Sequence, residues 1–176
     1  MSKLKYKLEK IAEFPPLVQQ DQVVESNQPQ EQPLMSLNDV LYKTMCSLDV
    51  FYRQIKFYHW IIKGQNYIAT HRFLDEVAQM ISGKIDLFAE RLVYLKFTPE
   101  YEPTIVESKS EVKYVVSPLA TTNEIIDNLL KQFDIVLSNL KESANKSIYD
   151  YGTQQFVTEV IYDVEVFKHH IESFKE

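Results

Sequence analysis

The chain has 176 residues, of which 45% are hydrophobic, and it carries 19 Lys and Arg against 25 Asp and Glu, a formal net charge of −6. It has only three glycines, where average composition gives about twelve, and this scarcity argues against an all-β sandwich or barrel with many tight turns. The acidic balance argues against a typical nucleic-acid-binding domain, and a single cysteine excludes an internal disulfide framework and any cysteine-rich zinc site.

No stretch of about 18 apolar residues is present, so the sequence predicts no membrane span. Residues 1–10 carry lysines but are not followed by the apolar segment of a signal peptide, and we expect a cytoplasmic protein. Residues 1–35 hold six glutamines and four of the seven prolines, a composition that predicts a flexible N-terminal extension. Residues 36–176 are long enough for one domain with one core.

Ser36 precedes the first helical pattern. Over 37–63, apolar side chains recur every three or four residues, the spacing of one helical face. Gly64 is expected to end this helix. After a short turn, a second helix is predicted over 69–96.

Residues 97–120 hold the other three prolines and are predicted to form a long connection, with a short helix at 104–113. A capping box that begins at Thr121 predicts a third helix over 122–146. A fourth helix is predicted over 153–174. Four long helices joined by short, long and short connections predict an all-α four-helix bundle with one crossover between helices 2 and 3, the ferritin-like topology.

The second helix carries two pairs of ionisable residues. His71 and Asp75 are four residues apart, as are Asp86 and Glu90, and helical rotation places all four near one stripe. The two pairs are about 16 Å apart along the helix, so one metal ion cannot contact both pairs of one chain. No Lys or Arg neighbours the acidic pair on its face, so either this pair faces water or a cation from elsewhere neutralises it.

The numbering of this stripe is symmetric, because 71 and 90 add up to 161, as do 75 and 86. Suppose that two copies of the helix pack antiparallel about a two-fold axis between positions 80 and 81. His71 then faces Glu90 of the partner subunit, and Asp75 faces Asp86 of the partner subunit. Such a dimer holds two identical sites, each built from both chains.

His59 lies near the end of the first predicted helix and is close enough to join the same site. The resulting donor set of two imidazoles and three carboxylates suits iron, manganese or zinc, and it offers no sulfur. For either histidine alone, a hydrogen-bonded interior side chain is the alternative interpretation.

The same residues resemble the Dps family, the mini-ferritins or DNA-binding proteins from starved cells. The resemblance covers residues 36–176 and centres on the pattern H-W-x₂-K-G-x₆-H-x₃-D-x₁₀-D-x₃-E, which begins at His59 and ends at Glu90. The chain departs from the family's usual Asn, Pro and Gly at three positions that are not candidate ligands, Ile61, Gln65 and Lys96.

This resemblance implies a ferritin-like bundle that assembles as a hollow homododecamer, with a dinuclear iron site between two-fold-related subunits. His59, His71 and Asp75 would come from one chain, and Asp86 and Glu90 from the other. The implied activity is that of a ferroxidase, which oxidises Fe(II), preferably with hydrogen peroxide, and stores ferric iron in the cage. Such a reaction would protect the cell against oxidative stress.

Two other functions stay open at this point. Family members bind and compact DNA, often through a lysine-bearing tail, and residues 1–10 carry four lysines. The net charge of residues 1–35 is nevertheless −1, so DNA is a partner that the sequence does not favour. A non-DNA-binding relative that sequesters Mn, Cu or Zn, or that stimulates immune cells, would share the same donor set.

Two secondary predictions concern the fourth helix. His169 and His170, with Glu165 one turn earlier, form a candidate accessory metal site. Asp150, near the start of this helix, is a candidate residue of an iron-entry pore.

Overall fold

The computed structural model describes residues 35–118 and 120–175, and all regular secondary structure in this part of the chain is helical. The prediction of an all-α bundle of four long helices with one crossover is confirmed, and the predicted short helix lies within the crossover. The predicted flexible extension falls almost wholly outside the described residues. In chain order the helices are α1 (Leu37–Ile61), α2 (Tyr67–Tyr94), α3 (Pro103–Lys109), α4 (Thr122–Lys146) and α5 (Tyr151–Glu172).

Both helix starts that the sequence marked are capped as expected. The Thr121 hydroxyl accepts the N–H of Glu124 at 3.3 Å, and the Glu124 carboxylate accepts the N–H of Thr121 at 2.8 Å. Ser36 forms the same reciprocal box with Asp39. These bonds satisfy backbone donors that the first turn of a helix leaves without partners.

The end of α2 comes two residues before its predicted end, because Lys96 adopts a left-handed backbone with φ of 63°. The N–H of Lys96 donates to the carbonyl of Val93 at 3.0 Å, and the N–H of Phe97 donates to the carbonyl of Leu92 at 2.9 Å. These two bonds form a Schellman motif, whose left-handed residue is usually glycine. Lys96, which stands where the resemblance gives glycine, therefore occupies a backbone conformation that glycine adopts at a lower steric cost.

α1 is the central helix, since it packs against α2, α3 and α4, while α5 packs against α4 and touches α2. The apolar face that predicted α1 is buried, with Tyr52 and His59 at its partly exposed margin. Among the described residues, no helix combines the length and the apolar character needed to cross a bilayer. The fully buried members of the predicted face are Leu41, Met45, Leu48, Ile55 and Ile62.

α3 ends four residues before its predicted end because the chain turns toward α1. Ser110 is extended, with ψ of 134°, and the N–H of Glu111 donates to the hydroxyl of Ser47 on α1 at 3.0 Å. The Glu111 carboxylate then accepts a hydrogen bond from Lys43 at 2.9 Å, which is the largest cause that holds the pKa of Glu111 below its usual value.

The crossover is joined to α1 at further points, which include Gln54 and Asp49. The amide of Gln54 pairs with the backbone of Val115, accepting its N–H at 2.6 Å and donating to its carbonyl at 3.1 Å. The hydroxyl of Tyr101 donates to Asp49, a nearly buried carboxylate, at 2.5 Å. Side chains of α1 thus satisfy backbone and hydroxyl groups that a long connection would otherwise leave to water.

We expect Lys96→Gly to raise the free energy of unfolding by about 1 kcal/mol, because glycine avoids the clash that costs an L-residue roughly 1–2 kcal/mol at positive φ. Urea unfolding at a fixed protein concentration measures the change. Lys96→Ala is the matched control, since it removes the same side chain but keeps Cβ, and it should leave stability near that of the parent. Equal stabilisation by both substitutions would argue against the left-handed backbone.

Candidate metal centre

Two of the predicted ligands stack on each other. The rings of His59 on α1 and His71 on α2 lie with centroids 3.8 Å apart and planes 22° from parallel. The Nδ1 atom of each ring is 2.9 Å from the backbone carbonyl oxygen of the other histidine. Because a carbonyl oxygen only accepts, the Nδ1 atom of each ring is the donor, and in the neutral imidazole Nε2 then keeps the lone pair that binds a metal.

The connection between α1 and α2 is fixed by the start of α4. Gly64, which was predicted to end α1, lies two residues beyond its C-cap, Ile62, and adopts φ of 115°. A Cβ at this position would lie 3.3 Å from the Thr122 hydroxyl, which itself donates to the carbonyl of Lys63 at 2.6 Å. His59 therefore lies just before this connection and His71 just after it, and α4 holds the connection in place.

Asp75 lies one turn beyond His71 on α2 and is neutralised from α1. Lys56 donates to its Oδ1 at 2.9 Å, and Gln79 donates to its Oδ2 at 3.1 Å. The hydrogen bond from Lys56 is the largest cause that holds the pKa of Asp75 below its usual value. Sequence analysis missed Lys56, because helical spacing relates residues of one helix and this contact joins two.

Asp86 and Glu90 are exposed and, within residues 35–118 and 120–175, form no ion pair and no side-chain hydrogen bond. Many other carboxylates of the bundle are already neutralised by a cation from another part of the chain. Such pairs include Lys84–Asp163 at 2.5 Å, Lys175–Asp127 at 2.6 Å, Arg91–Asp150, Lys168–Asp134 and Lys43–Glu142 at 2.7 Å, and Lys141–Glu165 at 3.3 Å.

One chain alone does not bring the five predicted ligands together. His59 and His71 are in contact, and Asp75 is one turn away, but eleven residues of helix, about 16 Å, separate Asp75 from Asp86. Within the described part of the chain, no cluster of three or more His, Cys, Asp or Glu side chains is placed to hold a metal ion. A second chain is therefore needed to unite the predicted set.

A family model described as the ferritin-like domain matches residues 38–176. The chain belongs to the ferritin-like family. Four long helices with a crossover after the second, confirmed above, are the architecture that this assignment requires.

Known relatives of this ferritin-like chain agree with the assignment. A "DNA protection during starvation protein" of Halobacterium salinarum is 24% identical over 140 residues, 78% of this chain and 77% of the relative. The structure of a Dps protein from Vibrio cholerae, described as a member of a broad superfamily of ferritin-like diiron-carboxylate proteins, matches with a TM-score of 0.74 and 21% identity, over 78% of this chain and 87% of that one. A dodecameric thioferritin of Bacteroides fragilis matches with a TM-score of 0.75 and 16% identity, over 78% and 83% of the two chains. The predicted resemblance to the Dps family is confirmed.

Asp150 of the ferritin-like chain holds two helices together. Its carboxylate accepts hydrogen bonds from Arg91 on α2 at 2.7 and 2.9 Å and from the Thr153 hydroxyl at 2.6 Å. The bond from Thr153 is the largest cause that lowers the pKa of Asp150. Asp150 also caps α5, which explains why this helix begins at Tyr151, two residues before its predicted start. The structure thus gives Asp150 a structural role, and its place at an iron-entry pore stays a prediction.

The predicted accessory site on α5 does not come together. Glu165 forms an ion pair with Lys141 of α4 at 3.3 Å. The ring of His170 packs edge-on against Phe73, with centroids 6.2 Å apart, while the centroid of the His169 ring is 6.1 Å from that of His170. The carboxylate that was expected beside His169 is already neutralised by a lysine.

We expect Lys56→Met to raise the pKa of Asp75 toward its ordinary value, because the lysine hydrogen bond is what chiefly lowers it. The stabilisation that this pair provides is present above the unfolded-state pKa and is lost as pH falls through the lowered folded-state pKa. The variant should therefore lose stability at neutral pH but not at a pH below both values.

Carboxyl NMR titration of the metal-free protein, with Asp75→Asn to assign the signal, measures this pKa. Lys63→Met is the control, since Lys63 is an exposed lysine and forms no ion pair within the described residues. An Asp75 pKa that is the same in both lysine variants would show that Lys56 does not set it.

Proposed function

We propose that this chain is a Dps-like mini-ferritin, which oxidises Fe(II), preferably with hydrogen peroxide, and stores the ferric product inside a hollow homododecamer. Each dinuclear site takes His59, His71 and Asp75 from one chain, together with Asp86 and Glu90 of the partner subunit. In this proposal iron is the substrate, and the reaction protects against oxidative stress.

The observation that carries the proposal is a symmetric stripe along the exposed side of α2. At 100° per residue, six accessible positions lie within about 30° of one line. The antiparallel arrangement that brings the ligands together pairs these positions by chemical kind. Ile68, 62% exposed, faces the partner's Val93, 58% exposed, and Gln79 faces the partner's Ser82 near the axis. The stripe consists of Ile68, Asp75, Gln79, Ser82, Asp86 and Val93.

The apolar ends of the stripe favour association of two chains. Burial of large apolar side chains that the single chain exposes is favourable, and the Ile68–Val93 contacts flank the acidic positions on both sides of the axis. Apolar residues thus meet apolar residues in the same register in which carboxylates meet carboxylates. The ligand positions alone defined this register, so the apolar match is an independent support.

The centre of the stripe contains Asp75 and Asp86, and a cation between them would stabilise the dimer. In this register Asp75 faces the partner's Asp86, and two carboxylates that face each other repel unless a positive charge lies between them. Lys56 neutralises Asp75 in the chain, whereas Asp86 and Glu90 have no such partner in the described residues. Fe(II) supplies the missing charge and competes with Lys56 for Asp75.

The chemistry follows from the donor set. His59 and His71 would each offer one imidazole nitrogen to iron, and Asp86 or Glu90 would be the carboxylate that holds both ions. Carboxylate oxygens stabilise Fe(III) more than Fe(II), which favours oxidation. Two Fe(II) ions give one electron each to a single peroxide, whose O–O bond breaks and which takes up two protons to form two waters. No hydroxyl radical leaves the site.

Native mass tests the two-chain contact. Twelve subunits of 20.7 kDa give an assembly of roughly 250 kDa. Val93→Asp should lower the native mass, because it places a carboxylate against Ile68 of the partner subunit. Val116→Asp is the control, since this valine is also exposed but lies on the crossover. A parent protein that sedimented as a monomer would rule out both the cage and the shared site.

Subunit mixing tests whether two chains build each site. His71→Ala and Asp86→Ala should each abolish Fe(II) oxidation by peroxide above the protein-free rate, while Glu159→Ala, which removes an exposed acid on α5, should leave it unchanged. Reassembly of the two inactive variants together should restore part of the activity, because a mixed dimer keeps one intact site. Assembled but inactive mixtures would contradict a shared site.

The same assay separates the proposal from its alternatives. A parent protein that binds Mn, Zn or Cu but does not speed Fe(II) oxidation would be a metal-sequestering protein instead. DNA binding is not part of the proposal, because residues 1–35 carry a net charge of −1 and the whole chain −6.

A further inference from the structure

Three amide side chains of α4 have a buried oxygen that no protein group reaches. The atoms are Oδ1 of Asn128, Oε1 of Gln132 and Oδ1 of Asn139, and no donor among residues 35–118 and 120–175 bonds to any of them. Gln132 and Asn139 are 3% and 1% exposed. At 100° per residue, the three positions lie within about 40° of one line along α4. Because folded proteins rarely leave a buried polar atom unpaired, each oxygen needs a donor from outside the chain.

The nitrogen atoms of the two most buried amides are already used by the crossover. The amide of Gln132 donates to the carbonyl of Lys113 at 3.2 Å, and the amide of Asn139 donates to the Glu111 carboxylate at 2.6 Å. A flipped amide would bring its oxygen against an acceptor, so the unpaired atoms are the oxygens. Gln132 and Asn139 thus belong to the surface of α4 that the crossover covers.

A serine beside Asn139 has the opposite deficiency. The Ser47 hydroxyl on α1 is fully buried and accepts the N–H of Glu111 at 3.0 Å. In the part of the chain that the structure describes, no group accepts the proton of this hydroxyl. Ser47 is bonded to the backbone of Glu111 and Asn139 to its side chain. A buried donor without an acceptor therefore lies close to a buried acceptor without a donor.

We propose that two internal water molecules dock the crossover onto the bundle. The first accepts the proton of Ser47 and donates to Oδ1 of Asn139. The second donates one proton to Asn128 and the other to Gln132, which are four residues apart and therefore neighbours on the helix surface. Seven residues, about 10 Å of helix, separate Gln132 from Asn139, so one water cannot serve both sites. Waters of this kind complete the hydrogen bonding of buried polar groups and are part of the folded structure.

Charge favours water over a metal or ammonium ion at these sites. Amide and hydroxyl oxygens also bind hard cations, but a buried cation needs a carboxylate that is not already neutralised. Glu111, the carboxylate at the first site, accepts a hydrogen bond from Lys43 at 2.9 Å. At the second site the nearby crossover residue, Lys113, is itself a cation. A neutral molecule with two protons to donate fits both sites without added charge.

A high-resolution crystal structure of the full chain in its native assembly tests the inference. The parent should show one water about 2.7–3.2 Å from Ser47 Oγ and Asn139 Oδ1, and another at such distances from the oxygens of Asn128 and Gln132. A soak in thallium(I), which replaces potassium or ammonium and scatters anomalously, should label neither position. Both sites lie within one chain, so the result is independent of the proposed ferroxidase activity.

Two apolar variants test the sites separately. Asn139→Leu should lose the first water and keep the second, and Gln132→Met should lose the second and keep the first, because two helical turns separate the sites. Each variant removes the amide but keeps a side chain of similar size. Ser138→Ala, which removes an exposed hydroxyl from α4, is the control and should keep both waters.

The contrary results are equally specific. A parent in which Ser47 bonds Asn139 directly, or in which the amide oxygens have no neighbouring density, overturns the inference. A thallium peak at either position would identify a cation site and would also overturn it. A water that stays in place after its own amide has been removed would show that the amide does not hold it.

Discussion

The two hydrogen bonds that His59 and His71 exchange with each other's backbone set the conditions for everything else at this site. They join α1 and α2 beside the short connection between them, and they place a proton of each imidazole on Nδ1. In the neutral rings both Nε2 atoms are therefore the free nitrogens, and both rings are already held in place by these bonds. The same bonds bring the two rings into contact.

The carboxylates of this protein differ in whether a lysine or arginine neutralises them, and the difference follows the face of the bundle on which they lie. On α4 and α5, carboxylates such as Asp134 and Glu165 are matched by lysines across the helix interface. Accessible pairs of this kind add little to stability. On the exposed side of α2, Asp86 and Glu90 have no such partner among residues 35–118 and 120–175. In the proposed dimer these two carboxylates would complete a site with the histidines of the other chain.

Much of the fold could be predicted because its signals are local. The capping box at Thr121, the apolar spacing of α1 and the prolines of the crossover each act within a few residues. Four of the five candidate ligands share one helix, so their common stripe and its symmetry could be read from spacing alone. His59 required only the added assumption of a short turn.

The rest could not be predicted, because it depends on contacts between helices. Lys56 is 19 residues from Asp75, and Arg91 is 59 residues from Asp150, and no periodicity links such positions. Glu165 was assigned to His169 because both lie on α5, yet its partner is on α4. The left-handed backbone at Lys96 was hidden because the residue that usually marks it, glycine, is absent.

The attachment of the crossover to α1 has a consequence for how this protein can vary. Side chains of α1 form hydrogen bonds with Tyr101, Glu111 and Val115. Because these three points are fixed on one rigid helix, the segments between them tolerate little change in length. Val116 follows the last of these bonds and is 73% exposed. Natural insertions, or a peptide grafted for display, are best accommodated after this residue, where added length leaves α1 and α2 undisturbed.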